Sequence, residues 1–189
     1  EAADNRYLSL FYQPVYSMTT GELTSFESLL RMSHPTLGFV SPADFIPIAE
    51  ESGLISKLGG WSLAEACRTA VTWPDNITVA VNVSPEQFYN GTLLTDVHHA
   101  LEISNFPAYR LEIEITESTM LRDSEIVLSQ LNALREMGCA IVLDDFGTGF
   151  SSLNYLARFP FNHVKIDRQF VTDIDAPASR NIVQSIIAL

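Results

Sequence analysis

The chain has 189 residues, 47% of them hydrophobic and 18% charged, which suits one domain with a sizeable core. Nine Gly and nine Pro are too few for a linker or low-complexity chain, and no apolar run approaches the roughly 20 residues of a membrane span. A net charge of −12 excludes a broad basic surface for a nucleic acid polymer but leaves room for a small phosphorylated ligand bridged by cations. The start, Glu1-Ala2-Ala3-Asp4-Asn5, lacks the basic-then-apolar layout of a signal peptide. Cys67 and Cys139 read as buried reduced thiols, which suits the cytoplasm.

The first elements form a strand pair: Leu8 to Val15 is apolar and aromatic, Ser17 to Glu22 turns the chain, and Leu23 to Met32 returns. Ser41-Pro42-Ala43-Asp44 has the layout of an N-cap, a first-position proline and an early acid, so a helix starts there and Gly53 stops it. A second helical run covers Trp61 to Val71. Ile77 to Val83 is a β-branched strand, after which Ser84-Pro85-Glu86-Gln87 carries a capping-box pattern. Another helix is expected around His98 and His99. Leu111 to Thr116 is a strand, Asp123 to Met137 a helix ended by Gly138, and Ala140 to Leu143 and His163 to Asp167 are strands. A last helical pattern begins near Ser179. Helices alternating with continuous apolar strands predict a parallel sheet covered by helices.

Polar residues gather where these strands end: Asn82, Glu114, Asp144 with Asp145, then Lys165 with Asp167. Glu114 follows Asn82 by 32 residues and Asp144 follows Glu114 by 30, about one β–α unit each time. Each unit therefore delivers a polar group to one rim, where α/β barrels and open α/β sheets build their sites. Three carboxylates at one rim repel unless a cation lies among them, and hard ions such as Mg²⁺ or Mn²⁺ favour such oxygens. Adjacent aspartates can serve two metals, which suits a phosphodiester displacement, with Lys165 holding the water or the developing charge. Taken singly, Asn82 also reads as a helix cap, and Glu112 or Glu114 as the solvated face of an edge strand. Asp144-Asp145, ending a buried strand, is harder to explain without a partner. Phe146-Gly147-Thr148-Gly149 lacks the third glycine of a dinucleotide fingerprint and reads as a lid loop. His98, His99 and His163 have no partner at metal-ligand spacing.

Beyond these chemical readings, the chain resembles a known family. Tyr12-Gln13-Pro14-Val15, Glu27-Ser28-Leu29-Leu30-Arg31 and Phe45-Ile46-Pro47-Ile48-Ala49-Glu50-Glu51 are similar to the opening of EAL domains. Asn82-Val83-Ser84, Glu114-Ile115-Thr116-Glu117, Asp144-Asp145-Phe146-Gly147-Thr148-Gly149 and Lys165-Ile166-Asp167-Arg168 follow in family order over nearly the whole chain. The resemblance implies a modified TIM (β/α)8 barrel with an antiparallel first strand, one domain over 1–189. It further implies that two closing strands, one carrying a further glutamate, lie beyond Leu189, so this length is expected to be impaired in turnover.

The implied activity is hydrolysis of cyclic di-GMP to linear pGpG in bacterial signalling, on a Mg²⁺ or Mn²⁺ pair. A non-hydrolysing cyclic di-GMP receptor is the alternative, although receptors of this type tend to lack ligands that this chain keeps. By match, Glu27, Asn82, Glu114 and Asp144 hold the first metal and Asp145 the second. Lys165 holds the water, and Glu117 anchors the loop from Phe146 to Ser152, through which a homodimer is expected. Gln13, Leu29 and Arg31 contact substrate. Sensory or GGDEF domains are expected in the parent protein, placed in the cytoplasm, free or tethered to a membrane. Ser28 stands where the family's name motif has alanine.

Overall fold

A computed structural model describes residues 7–120, 124–147 and 158–187. The chain opens with two antiparallel strands, β1 (Leu8–Tyr16) and β2 (Leu23–His34). The turn between them is closed by Ser17 and Glu22, with Gly21 at φ 73°, a conformation glycine adopts without strain. A short strand β3 (Gly38–Val40) folds back on β2 and was not legible from composition, being only three residues long.

Helix α1 (Pro42–Glu51) begins at the proline, but the Ser41 hydroxyl makes no capping bond. Backbone bonds from Asp44 and Phe45 to the Ser41 carbonyl close the first turn instead. Helix α2 (Ile55–Ala70) starts six residues before the expected Trp61, because Ile55 and Leu58 bury a face against α1. Strand β4 (Thr78–Asn82), helix α3 (Pro85–Tyr89) and helix α4 (Leu93–Ser104) follow. The capping box predicted at Ser84 is formed, with Gln87 as its reciprocal partner. Strand β5 (Leu111–Thr116), helix α5 (Ser124–Glu136), strand β6 (Ala140–Phe146) and strand β7 (His163–Ile166) complete the alternation. Two helices end the described chain, a short α6 (Arg168–Thr172) that the sequence reading lacks and α7 (Pro177–Ile187).

Strand order is β1-β2-β4-β5-β6-β7 with β3 beside β2, and every pair from β2–β4 onward is parallel. That is the expected α/β sheet with an antiparallel first strand, and no β7–β1 pairing closes it among the described residues. One face of β4 to β6 (Val79, Val81, Ile113, Ile115, Ile141, Leu143) packs against α2 to α5 in the main core. The opposite, concave face carries the polar residues, so the alternation of each strand sorts core from site.

A second device braces the helix layer. Arg110, 2% exposed, donates to the carbonyls of Ile77 at 2.9 Å and of Ala70 and Pro74 at 3.0 Å, with its guanidinium 4.9 Å from the Phe106 ring. It locks the turn between α2 and β4. Cys67 and Cys139 are free and buried, and burial pushes their thiols up to about 12 and about 11, leaving them inert.

Candidate active site

Register brings the rim together. Glu27 on β2 pairs with Ala80, two residues before Asn82. Asn82 pairs with Glu114, and Asp144 pairs with Thr116, two residues beyond Glu114. Period-two alternation then puts Glu27, Asn82, Glu114 and Asp144 on the same face. Carboxylate oxygens of Glu27, Glu114 and Asp144 lie within 4.8 Å of one another. Asn82 joins them by donating its amide to Glu27 at 2.9 Å.

The sheet curls far enough for Lys165, on β7, to reach back to β2. Its ammonium donates to Glu27 Oε2 at 2.7 Å, to Glu114 at 3.0 Å and to Asp144 Oδ2 at 3.3 Å. Burial alone would lower the lysine's pKa, but Glu114, Glu27 and Asp144 outweigh it and hold the group above its ordinary value. Glu114 is 3% exposed and β5 is a central strand, so the edge-strand reading of this glutamate does not apply. Burial pushes its carboxyl up to about 7, against the pull of Lys165 and with the push of Glu27 and Asp144. Glu112, one turn of the pleat below, accepts from the Thr78 hydroxyl at 2.5 Å and takes no part in the cluster.

Adjacent strand residues normally face opposite ways, so Asp144 and Asp145 should not both reach the rim. The chain solves this with a register shift between Leu143 and Phe146 and a left-handed residue at Asp145, φ 54°. Such irregularities at strand ends re-aim side chains. The Asp145 carboxyl is raised by burial and then by the neighbouring carboxyls of Asp144 and Asp167. Asp167 therefore belongs to the site. The sequence placed it at the strand end without a role, although its two-residue spacing from Lys165 was the available signal. It also caps α6, accepting from Gln169 N at 2.7 Å.

Glu117 is buried and accepts from the Gly147 N–H at 2.8 Å, so it grips the turn that follows the aspartates. Phe170 of α6 closes on that glycine from the other side: a Cβ there would lie 2.7 Å from its ring. The rest of the predicted loop, from Thr148 to Ser152, lies outside the described residues. Leu29 and Arg31 line a cavity of about 420 Å³ between β2, α1, α2 and α3. Arg31 lies 5.7 Å from the centre of the Phe11 ring. Gln13 is exposed and directly opposite Glu27 in the β1–β2 register. Gln13, Leu29 and Arg31 thus lie on the sheet face that carries Glu27.

The EAL domain family profile matches residues 1–189. This chain belongs to the EAL domain family. It is 40% identical to the cyclic di-GMP phosphodiesterase PdeR of Escherichia coli over 193 aligned residues, covering 100% of the chain and 29% of PdeR. The bifunctional diguanylate cyclase/cyclic di-GMP phosphodiesterase MucR of Pseudomonas aeruginosa is 41% identical over the whole chain and 28% of its own length. A solved PaMucR phosphodiesterase–c-di-GMP complex superposes with a TM-score of 0.92 at 41% identity, over 99% of this chain and 78% of that one. The EAL chain spans about a fifth to under a third of the curated relatives it matches. Its barrel-like α/β architecture is that of solved EAL domains. No helix among the described residues is long and apolar enough to cross a membrane.

Proposed function

We propose that this EAL domain belongs to a metal-dependent phosphodiesterase that opens cyclic di-GMP to linear pGpG. The observation that carries the reading is the ring of Glu27, Glu114 and Asp144 drawn around one ammonium, with Asn82 at its edge. Oxygens so close together suit a hard divalent ion, and Mg²⁺ or Mn²⁺ fits the all-oxygen donor set. Glu27, Asn82, Glu114 and Asp144 would hold a first ion, and Asp145 with Asp167 a second. Bound there, the ions supply Lewis acidity and charge neutralisation for attack at phosphorus.

The chain's own residues do the rest. Arg31 lies on the strand that carries Glu27, four residues on, and its planar fork suits a non-bridging phosphate edge. Gln13 supports the substrate across the β1–β2 pair, and Leu29 offers apolar contact. With the carboxylates engaged elsewhere, Lys165 has N–H donors to hold the attacking water. Glu117 keeps the Asp144–Gly147 turn in place, which fixes the angle at which both aspartates meet the rim. All five metal residues are present together, which favours an enzyme over a receptor. Dimerisation through the loop after Asp145, and sensory or GGDEF partner domains, belong to the same proposal for the parent protein.

The test uses the full-length parent protein. Asp144→Asn should abolish hydrolysis with cyclic di-GMP binding retained, and Arg31→Ala should mainly raise KM. Near-parental kcat in Asp144→Asn would remove that residue from the metal site and the reading with it.

A further inference from the structure

We infer that Phe11 is a positioning residue for substrate binding: its ring holds the Arg31 guanidinium in place for the phosphate it receives. The inference rests on the cyclic di-GMP reading and deepens it at one residue. Strand register comes first. β1 and β2 run antiparallel, with Phe11 opposite Leu29 and Ser9 opposite Arg31. Phe11 and Arg31 are therefore diagonal neighbours on the face that also carries Gln13 and Glu27. Short side chains do not meet across such a diagonal, but an aromatic ring and an arginine can. Here they do. The Arg31 guanidinium carbon stands 5.7 Å from the centre of the Phe11 ring, within the range of a cation–π contact.

Packing does not account for the ring. The even positions of β1 do that work: Leu8, Leu10 and Tyr12 all join the two hydrophobic cores. Phe11 belongs to neither core and is 61% exposed, on a face whose other members are mostly polar. Its one described ring contact is with the arginine. Arg31 has a second tether on its own strand, where Nη1 donates to the Leu30 carbonyl at 2.9 Å. Among the described residues no carboxylate pairs with it, so its charge is left for an anion.

The two tethers do different things. A long arginine gives up much rotamer freedom when a ligand fixes it, and a side chain already held loses less. The ring occupies a face of the guanidinium plane, which leaves N–H donors along the edge for phosphate oxygens. Among the described residues Arg31 lines the cavity of about 420 Å³ and Phe11 does not, so the ring acts through the arginine rather than on the ligand. A tether of this kind strengthens binding and leaves the chemical step alone, because the acid cluster and Lys165 are untouched by it.

The experiment is a double-mutant cycle in the full-length parent protein, with cyclic di-GMP binding read by calorimetry in Ca²⁺ and turnover in Mg²⁺. Phe11→Leu keeps an apolar side chain and removes the ring; Phe11→Met serves if that variant fails to fold. The substitution should weaken binding by about threefold to tenfold, with kcat and melting temperature held. Phe11→Tyr, which restores an aromatic face, should bring binding back to the parent's level. In an Arg31→Ala background, Phe11→Leu should cost nothing further. An equal loss in that background would mean that the ring touches the ligand itself and would overturn the positioning role. Parental binding in Phe11→Leu, or a loss that Phe11→Tyr does not rescue, would overturn it too while the phosphodiesterase reading stands. A parent protein that does not bind cyclic di-GMP overturns that reading and this inference together.

Discussion

Replacing Glu114 by Gln in the metal-free chain should stabilise it, and by an amount that grows with pH. Two effects compete at this residue. Lys165 at 3.0 Å favours the carboxylate, whereas near-complete burial and the nearby Glu27 and Asp144 favour the neutral acid. Burial wins, moving the carboxyl from 4.5 to about 7. The folded pKa thus lies above the unfolded one, so the group contributes fully below pH 4.5 and its contribution is lost as pH rises through about 7. At 1.36 kcal/mol per pH unit the loss tends to about 3 kcal/mol, of which about 2.5 kcal/mol falls between pH 5 and 8.5. Gln mimics the neutral acid at every pH and avoids that loss. Urea melts of parent and Glu114→Gln chains in EDTA, at pH 5 and pH 8.5, read the difference directly. A gap between the two proteins that shrinks with rising pH would mean that the Lys165 pair outweighs burial, and would refute the reasoning.

The remaining predictions concern the metal, the brace and the turn. Mg²⁺ and Mn²⁺ should raise the melting temperature and support turnover, Ca²⁺ should bind without turnover, and EDTA should reverse both effects; activity restricted to zinc would contradict the oxygen-ligand reading. Arg110→Lys should cost about 2–4 kcal/mol in urea melts, since three buried carbonyls lose charged donors and a fork geometry that lysine cannot replace. Gly147→Ala should reduce kcat in the parent protein, because φ 104° strains a Cβ that also meets the Phe170 ring, and the turn bearing Asp145 must move. Metal titration of the same variant should show a loss at the site proposed for Asp145, with binding at the Glu27–Glu114–Asp144 cluster kept.

Much of this was legible in the sequence because strand ends in parallel sheets are functional by geometry. The spacing from Asn82 to Glu114 to Asp144 predicts one rim, and the register delivers it. The capping box at Ser84 is equally local and formed as written. Sequence reasoning falls short where tertiary context overrides local rules. Asp145 takes a left-handed backbone that its residue type tolerates, but nothing in Asp144-Asp145 says which of the two does so. The approach of Asp145 to Asp167 depends on that turn, so Asp167 was seen but given no role. Ser41 had the right residue type for a cap, but the backbone closes the turn without its hydroxyl.

The bond from Lys165 to Glu27 joins residues 138 apart in the chain, which makes the acid cluster a late event in folding. Closing a loop of that length costs about 4 kcal/mol in chain entropy by the logarithmic rule, on top of a constant. High contact order of this kind slows folding, and a nascent chain reaches Lys165 only after Glu27, Glu114 and Asp144 have already emerged. Until the lysine arrives, those three acids face one another uncompensated, so partly folded forms carry a repulsive rim. Early capture of a divalent ion by the growing sheet would relieve that repulsion, and metal in a refolding buffer should therefore speed the slowest phase as well as raise the final stability.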